Sequence, residues 1–472
     1  MEDRRKNYRF WNPIQGRREA ICPEDVLPPN DLVFFLLDTI PQLDLSAFHS
    51  YYAKELRGQP PFDVTMMVTL IVYSYSVGVV SSRKIAAACE RNLAFRAIVG
   101  HDRPDFRTIS DFRKHHRDAF RPLFIEVLRL AGELGMVSLG NLATDGTKMK
   151  ANASRHKAMS YGYMEKEIQR LEQEIEQLLQ QADETDAEQD AALGSRRGDE
   201  LPEELARREE RLTRIQQARG RLQAEAEARA AEEQRLRDEA QAEREAEGKR
   251  RRGKPPAPVD PTPAEKAQTN FTDPEAKIMK QSNKGFDYSY NSQAVVDDAH
   301  QIIVAAEVTA AANDKQQAVP MARAAVANLA AAGIARPVDS EQRPIPIPNT
   351  ADSGYFSEQA VGELEAEGFD PHIATGRQKH HTTESPAAEA DPTEAATLSV
   401  KERMAQKLRS APGKQIYAAR KAIVEPVFGQ IKQARGLRQY LLRGIEKVAG
   451  EWQLICLTHN LLKIWRFASS IP

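Results

Sequence analysis

The strand-like spacing of this chain breaks off and returns much later. "NLATDGTKMKANAS" (141–154) alternates around Asp145-Gly146-Thr147 and reads as a strand with a turn or bulge. Residues 160 to about 250 then take helical spacing. Alternation resumes in "YNSQAVVDDAHQIIVAAEVT" (290–309), which reads as a hairpin turning at Asp297 to His300. A strand needs partners, so the first one has to pair across a long insertion. With residues 155–265 removed, the order is strand, two strands, helix, strand, helix, strand, helices: a compact mixed sheet covered by helices.

Inside the insertion, Ile168, Leu171, Ile175 and Leu178 step by three, four and three, a heptad seam. "ADETDAEQDAALGSRRGDELP" (182–202) interrupts it, and Pro202 suits a helix start. Leu205, Leu212, Ile215, Leu222 and Leu236 resume the seam, broken by Arg208, Arg219 and Arg229. The expectation is two helices folded back as a coiled-coil hairpin; a single solvated helix or partial disorder is the alternative. "GKPPAPVDPTP" (253–263) has five prolines and reads as a linker.

The flanks complete four sections: a helical N-terminal part, 1–135; the first part of the sheet, 136–160; the insertion and linker, 161–265; and the rest of the sheet with C-terminal helices, 266–472. In the first, Asp63 is a plausible N-cap for "VTMMVTLIVYSYS". The run 66–80 is too short to span a bilayer and reads as a buried helix, so no membrane partner is expected. "KQQAVPMARAAVANLAAAG" (315–333) is helical apart from an awkward Pro320, and "IPIPNTADSGY" (345–355) is a strand running into a loop at Asp352. Three scattered cysteines and no apolar leader after the first residues fit a reducing, cytoplasmic setting.

The net charge of −2 conceals an asymmetry. Residues 161–250 hold 25 acidic and 16 basic residues, a net of −9, so the rest of the chain carries +7. A basic body permits a nucleic-acid partner, although an ordinary solvated surface fits the number equally well.

Three acids stand where chemistry is possible: Asp145 at or near the end of the first strand, Asp352 after the fourth, and Glu425 on a late helix. Acids at strand ends can converge at one sheet edge. Converging carboxylates repel and need cations between them, and hard oxygen donors suit Mg²⁺ or Mn²⁺. In "VEPVFGQIK" (424–432), Val424, Val427, Phe428 and Ile431 form a packing stripe. Glu425 and Lys432 share a neighbouring stripe, because seven residues is close to two turns. Pro426 should mark a helix start or a kink.

These motifs resemble the DDE-type transposases of bacterial insertion sequences, over nearly the whole chain. "DGT" resembles the family's first-Asp motif, giving that role to Asp145. "ADSGY" resembles the second, giving it to Asp352; Tyr355 matches, while Ser353 replaces the usual basic residue. Tyr417, Arg420, Glu425 and Lys432 match the third motif in type, with the Arg-to-Glu gap longer by one residue; Lys421 has the usual spacing. "SSRKIAAACERNLAFRAIVG" and "RPDFRTISDFRKHH" resemble the family's N-terminal domain.

The resemblance implies an α/β, RNase H-like mixed sheet, interrupted by a coiled-coil insertion and preceded by an all-helical DNA-binding domain. It implies metal-dependent cleavage of DNA at the element's ends and strand transfer into target DNA. Asp145, Asp352 and Glu425 would be the catalytic and metal residues, with Mg²⁺ (or Mn²⁺) as cofactor. Tyr417, Arg420, Lys432, Tyr355, Arg113 and Lys114 would contact DNA. The implied partners are double-stranded DNA, both terminal inverted repeats and target, and a second copy of the chain as a homodimer on DNA; the protein would be nucleoid-associated when bound. Rival readings are an RNase H-like structure-specific nuclease without strand transfer and a non-catalytic DNA-binding coiled-coil protein.

Other candidates read as structural. Asp297 and Asp298 sit at a turn, His459 lies in an apolar helix, and the pairs His115-His116 and His380-His381 diverge, unlike a zinc pair. "GRQKHH" (376–381) follows the last strand, where it could face DNA.

Overall fold

The computed structural model describes residues 9, 22–53, 59–193, 203–246, 257–281, 283–376 and 398–470. It divides into two compact units, Met1–Asn152 with Ile278–Pro472, and Ala153–Lys277. No helix among the described residues is long and apolar enough to cross a membrane.

The larger unit begins with short helices: α1 (Pro23–Val26), α2 (Leu32–Thr39), α3 (Ser46–Tyr52), α4 (Val64–Ser76), α5 (Ser82–Arg91), α6 (Leu93–Val99), α7 (Phe106–His115) and α8 (Phe120–Glu133). Asp63 caps α4, accepting a bond from the Met66 amide at 2.9 Å. From Met66 onward α4 is buried, and the hydroxyls of Ser74 and Ser76 donate back to the carbonyls of Leu70 and Val72, which satisfies them inside an apolar helix. His116 is buried against Phe48, Phe112 and Tyr52, while His115 is exposed.

The strands are β1 (Leu142–Lys150), β2 (Ala158–Ser160), β3 (Gln268–Asn270), β4 (Lys277–Lys280), β5 (Phe286–Asp297), β6 (Ile303–Thr309), β7 (Ile347–Ala351) and β8 (Phe369–Ile373). The main sheet has the order β4-β5-β1-β7-β8, with β6 also paired to β5. β5 is antiparallel to both β1 and β6, whereas β1, β7 and β8 run parallel. Asp297 closes the β5–β6 turn as a structural residue: it is fully buried and accepts bonds from the amides of Leu139 and Ala299.

The helices after β1 are α9 (Tyr161–Leu193), α10 (Glu203–Ala246), α11 (Ala318–Ala331), α12 (Glu358–Ala366), α13 (Val400–Arg409), α14 (Ala411–Gly429) and α15 (Ile445–Ala468). α14 packs across β1, β5, β7 and β8, and α15 against β6, α8 and α4. Almost every residue of α15 from Val448 to Leu461 is buried, and His459 bonds the Gln301 carbonyl oxygen at 3.0 Å. Pro320 is the third residue of α11, in the first turn, where a missing amide hydrogen has no helical acceptor to disappoint.

Pro426 does not start a helix. α14 begins at Ala411, capped by Ser410, and runs through Pro426. The Ala422 carbonyl, which Pro426 cannot serve, accepts instead from the Gln301 side chain at 2.9 Å. Four residues on, the helix widens into a π turn over Gln430–Ala434.

In the smaller unit, α9 and α10 pack together and β2 pairs with β3. Cross-helix bonds descend one helix as they climb the other: Gln223 to Tyr161, Arg211 to Glu167, Arg208 to Glu174. The pair is therefore antiparallel. Its core joins Tyr161, Met164, Ile168 and Leu171 to Ile215, Ala218 and Leu222. Two expectations change here. α9 continues through the polar stretch to Leu193, and Arg208, expected to break the seam, serves as a cross-helix ion pair.

Candidate active site at the split edge of the central strand

β1 changes neighbours along its length, and that change makes the site. On one side it pairs with β5 from Leu142↔Asp297 to Lys150↔Ser289. On the other it pairs with β7 only at Leu142↔Asn349 and Ala143↔Thr350, and at its far end Lys150 meets Gln439. Carrying the parallel register two residues further sets Asp145 level with Asp352, the first residue beyond β7. Crevices where neighbouring strands diverge at their carboxyl ends are common ligand sites in open α/β sheets.

Asp145 is held from both sides. One carboxylate oxygen accepts from the Gly146 amide at 2.8 Å, and the other lies 3.2 Å from Arg420 Nη1 on α14. Burial pushes its pKa up to about 6; Arg420 and the Gly146 amide pull it down, and Asp352 and Asp314 push it up. Asp352 accepts from the Gly354 amide at 2.8 Å. The half-buried Tyr417 stands within the field of Arg420, Asp352 and Asp145, and burial raises its hydroxyl pKa. Arg420, not Lys421, is therefore the cation that reaches the first aspartate; Lys421 is exposed. Arg420 is itself 8% exposed, and its buried Nε has no partner among the described residues.

Glu425 lies on α14 five residues beyond Arg420, about 140° further round the helix. Its side chain is exposed. Among the described residues, no three His, Cys, Asp or Glu side chains are grouped closely enough to hold a metal ion. Lys432 turns inward: Nζ donates to Thr147 Oγ1 at 2.6 Å and to the Lys148 carbonyl at 2.8 Å. Burial, then Arg438 and Lys148, lower its pKa to about 8. α14 and its π turn thus grip β1 at Asp145 and again at Thr147–Lys148.

The opposite face of β1 holds a polar network that the sequence reading missed. Asp314 Oδ1 accepts from Asn291 Nδ2 at 2.6 Å and Gln293 Nε2 at 2.7 Å, and lies 3.4 Å from Lys148 Nζ. Gln293 in turn accepts from the Tyr355 hydroxyl. Gly146 makes room for this network, since a Cβ there would stand 2.3 Å from Gln293 Nε2 and 2.9 Å from Asp314 Oδ1. The available signal was Asn291 and Gln293, two amides on one face of a strand that is buried from Tyr288 onward.

Three residues expected on DNA are buried: Arg420, described above, and Tyr355 and Arg113. Tyr355 is fully buried, its hydroxyl used by Gln293. Arg113 is 5% exposed, donating to the Tyr75 hydroxyl at 3.1 Å and the Val80 carbonyl at 2.7 Å. Lys114 is exposed and paired with Asp111 at 3.1 Å. Of "GRQKHH", residues 377–381 lie outside the described residues, as does His380-His381.

Two family models match the chain: a transposase domain (DUF772) over residues 21–115 and a transposase DDE domain over residues 381–465. No curated protein and no solved structure matches it. With both its helical N-terminal part and its C-terminal part matching transposase models, the chain is supported as a DDE-type transposase of insertion sequences. The second match contains Tyr417, Arg420, Glu425 and Lys432; Asp145 and Asp352 fall outside both matches.

Proposed function

We propose that the chain cuts DNA at the ends of its insertion sequence and joins those ends to target DNA, using Asp145, Asp352 and Glu425. The observation that carries this is the parallel β1–β7 register, which brings the first two acids level at the point where the strands part. The order β6-β5-β1-β7-β8, one antiparallel hairpin beside three parallel strands, supports an RNase H-like domain.

The donors fit Mg²⁺ or Mn²⁺. They are hard carboxylate oxygens, and burial, with Asp352 and Asp314 adding to it, raises the pKa of Asp145, a charge cost that a cation offsets. Asp145 and Asp352 would hold the ion, and Glu425, exposed and with no ion pair among the described residues, would join them from α14. Bound there, the ion supplies charge stabilisation at the phosphate and a more acidic water. The chain's own part is orientation. Arg420 holds Asp145 through Nη1, and Tyr417 stands beside it. Lys432 pins Thr147 and the β1 backbone one residue pair beyond Asp145. Water attacks the end phosphodiester first, breaking its P–O3′ bond and freeing a 3′-hydroxyl; that hydroxyl then attacks a target phosphodiester, displacing the target strand's own 3′-oxygen as a hydroxyl.

Holding two ends together calls for a homodimer. The α9–α10 pair, a coiled coil by its heptads, supports self-association, since Tyr163, Leu179 and Leu236 on it are exposed.

The test uses purified full-length protein and a labelled duplex with the native end. Glu425→Gln is expected to bind that duplex and to lose Mg²⁺-dependent nicking; full nicking would remove Glu425 from the site. Nicking without joined product in a target-plasmid assay would reduce the proposal to a nuclease.

A further inference from the structure

The first turns of α5 and α7 converge on one cleft of about 410 Å³, lined among others by Ser81, Ser82, Arg83, Phe106, Arg107 and Lys114. α5 has ten residues and presents the positive end of its dipole there, whereas α7 lies along the cleft with its own N-terminus capped by Asp105. The guanidinium groups of Arg83 and Arg107 both lie over the ring of Phe106, 5.1 and 5.7 Å from its centroid. That ring is 38% exposed, and neither arginine is in an ion pair with a described residue. The one carboxylate lining the cleft, Asp111, is already paired with Lys114. Behind them, the buried Arg113 donates to the Ser82 hydroxyl, and its Nε has no partner among the described residues. Stacking on a ring orients two cations without neutralising them. A concave, cationic, hydroxyl-bearing cleft of this kind suits a tetrahedral anion with several acceptor oxygens.

We infer that this cleft seats a backbone phosphate of duplex DNA, with Arg83 and Arg107 as the contacting groups and Arg113 as the buried residue that positions the cleft wall. The inference rests on DNA being the substrate. Its value to the reaction lies in what the cleft is attached to. Leu441 lines it, and the Leu441 and Leu442 amides donate to the buried Glu451 at 3.0 Å. Glu451 accepts from the Tyr75 hydroxyl at 3.0 Å, and Tyr75 accepts from Arg113. The segment ending at Leu441 also carries Gln439, which bridges to Lys150 of β1. A phosphate in the cleft is thereby referred, through buried hydrogen bonds, to the strand that bears Asp145. Such a contact fixes where a duplex lies and carries no sequence information.

The experiment compares full-length wild type, Arg83→Ala/Arg107→Ala, and a control pair Arg323→Ala/Arg343→Ala, which removes two exposed arginines elsewhere. Binding to a native-end duplex and to a scrambled duplex is measured across a salt series. The cleft variant is expected to flatten the log-log salt dependence by up to about one unit and to weaken both duplexes by the same factor. Its melting temperature is expected to match wild type, because both side chains are exposed. An unchanged slope, a loss confined to the native sequence, or an equal loss in the control pair would overturn the inference. Mg²⁺-dependent nicking by wild type is scored separately. A flattened slope with no wild-type nicking keeps the cleft and sinks the catalytic proposal; nicking with an unchanged slope does the reverse.

Discussion

Two carboxylates of this molecule, one in each unit, meet arginines and titrate in opposite directions. Glu167 on α9 is covered by its own cations: Arg170 and Arg211 approach it at 2.7 and 2.8 Å, and its pKa is lowered, mainly by the Arg170 hydrogen bond. Asp145 is covered by the body of the fold, has one arginine at 3.2 Å, and shares its field with Asp352 and Asp314; its pKa is raised to about 6. The first arrangement is complete and needs nothing more. The second leaves negative charge unbalanced in a crevice, which is what a site for cations and phosphates requires and what a purely structural ion pair avoids.

If that contrast is right, removing the arginine should matter very differently in the two units. Arg420→Ala strips a buried carboxylate of its partner and is expected to destabilise by about 3 kcal/mol. Arg170→Ala, with Arg211 still on Glu167, should cost less than about 1 kcal/mol. Urea midpoints of the two variants check this, and equal losses would erase the distinction.

Glycine gives a second comparison of opposite sign. Gly146→Ala drives a Cβ into the Gln293 and Asp314 network and is expected to cost about 2 kcal/mol. Stability and nicking should fall together, because β1 is displaced.

The pH dependence follows from Asp145. Its folded pKa, about 6, lies above the ordinary aspartate value of 3.8, so between those values the folded state binds more protons than the unfolded one. Its contribution is therefore present at low pH and lost as pH rises toward 6, with a slope of at most about 1.4 kcal/mol per unit. Asp145→Asn should remove this component from a urea series run at pH 4 to 7. A wild-type and variant difference that stays constant across the series would show that Asp145 titrates normally.

Gly220→Ala is the smallest effect. No atom lies within 4 Å of the added Cβ on α10, so the helix should gain up to about 1 kcal/mol with activity unchanged.

The sequence revealed most where one short segment decides the outcome. The heptad of α9 and α10, the Asp63 cap and the β5–β6 hairpin all rest on local spacing. Even there, the lower part of the seam is made by Ala218, Ala226 and Ala230, too small to stand out beside leucine. Asp145 and Asp352 were visible as motifs, but their proximity depends on a parallel register between strands some two hundred residues apart. Arg113 looked like a surface cation because it sits among Lys114 and His115. Only the tertiary packing of α4 behind it, with Tyr75 and Glu451, turns it inward. Asp314 lies in a connecting loop with no pattern of its own, and only the cross-strand pairing of Gly146 with Gln293 explains why it matters.

The central claim is that Asp145 and Asp352 act together where β1 parts from β7. The most direct measurement is Mg²⁺-dependent nicking of a labelled native-end duplex by Asp145→Asn and Asp352→Asn, with binding followed on the same samples. Both variants are expected to bind within about twofold of wild type and to lose nicking by at least about a hundredfold. Nicking at the wild-type rate by either one, with binding intact, would contradict the claim.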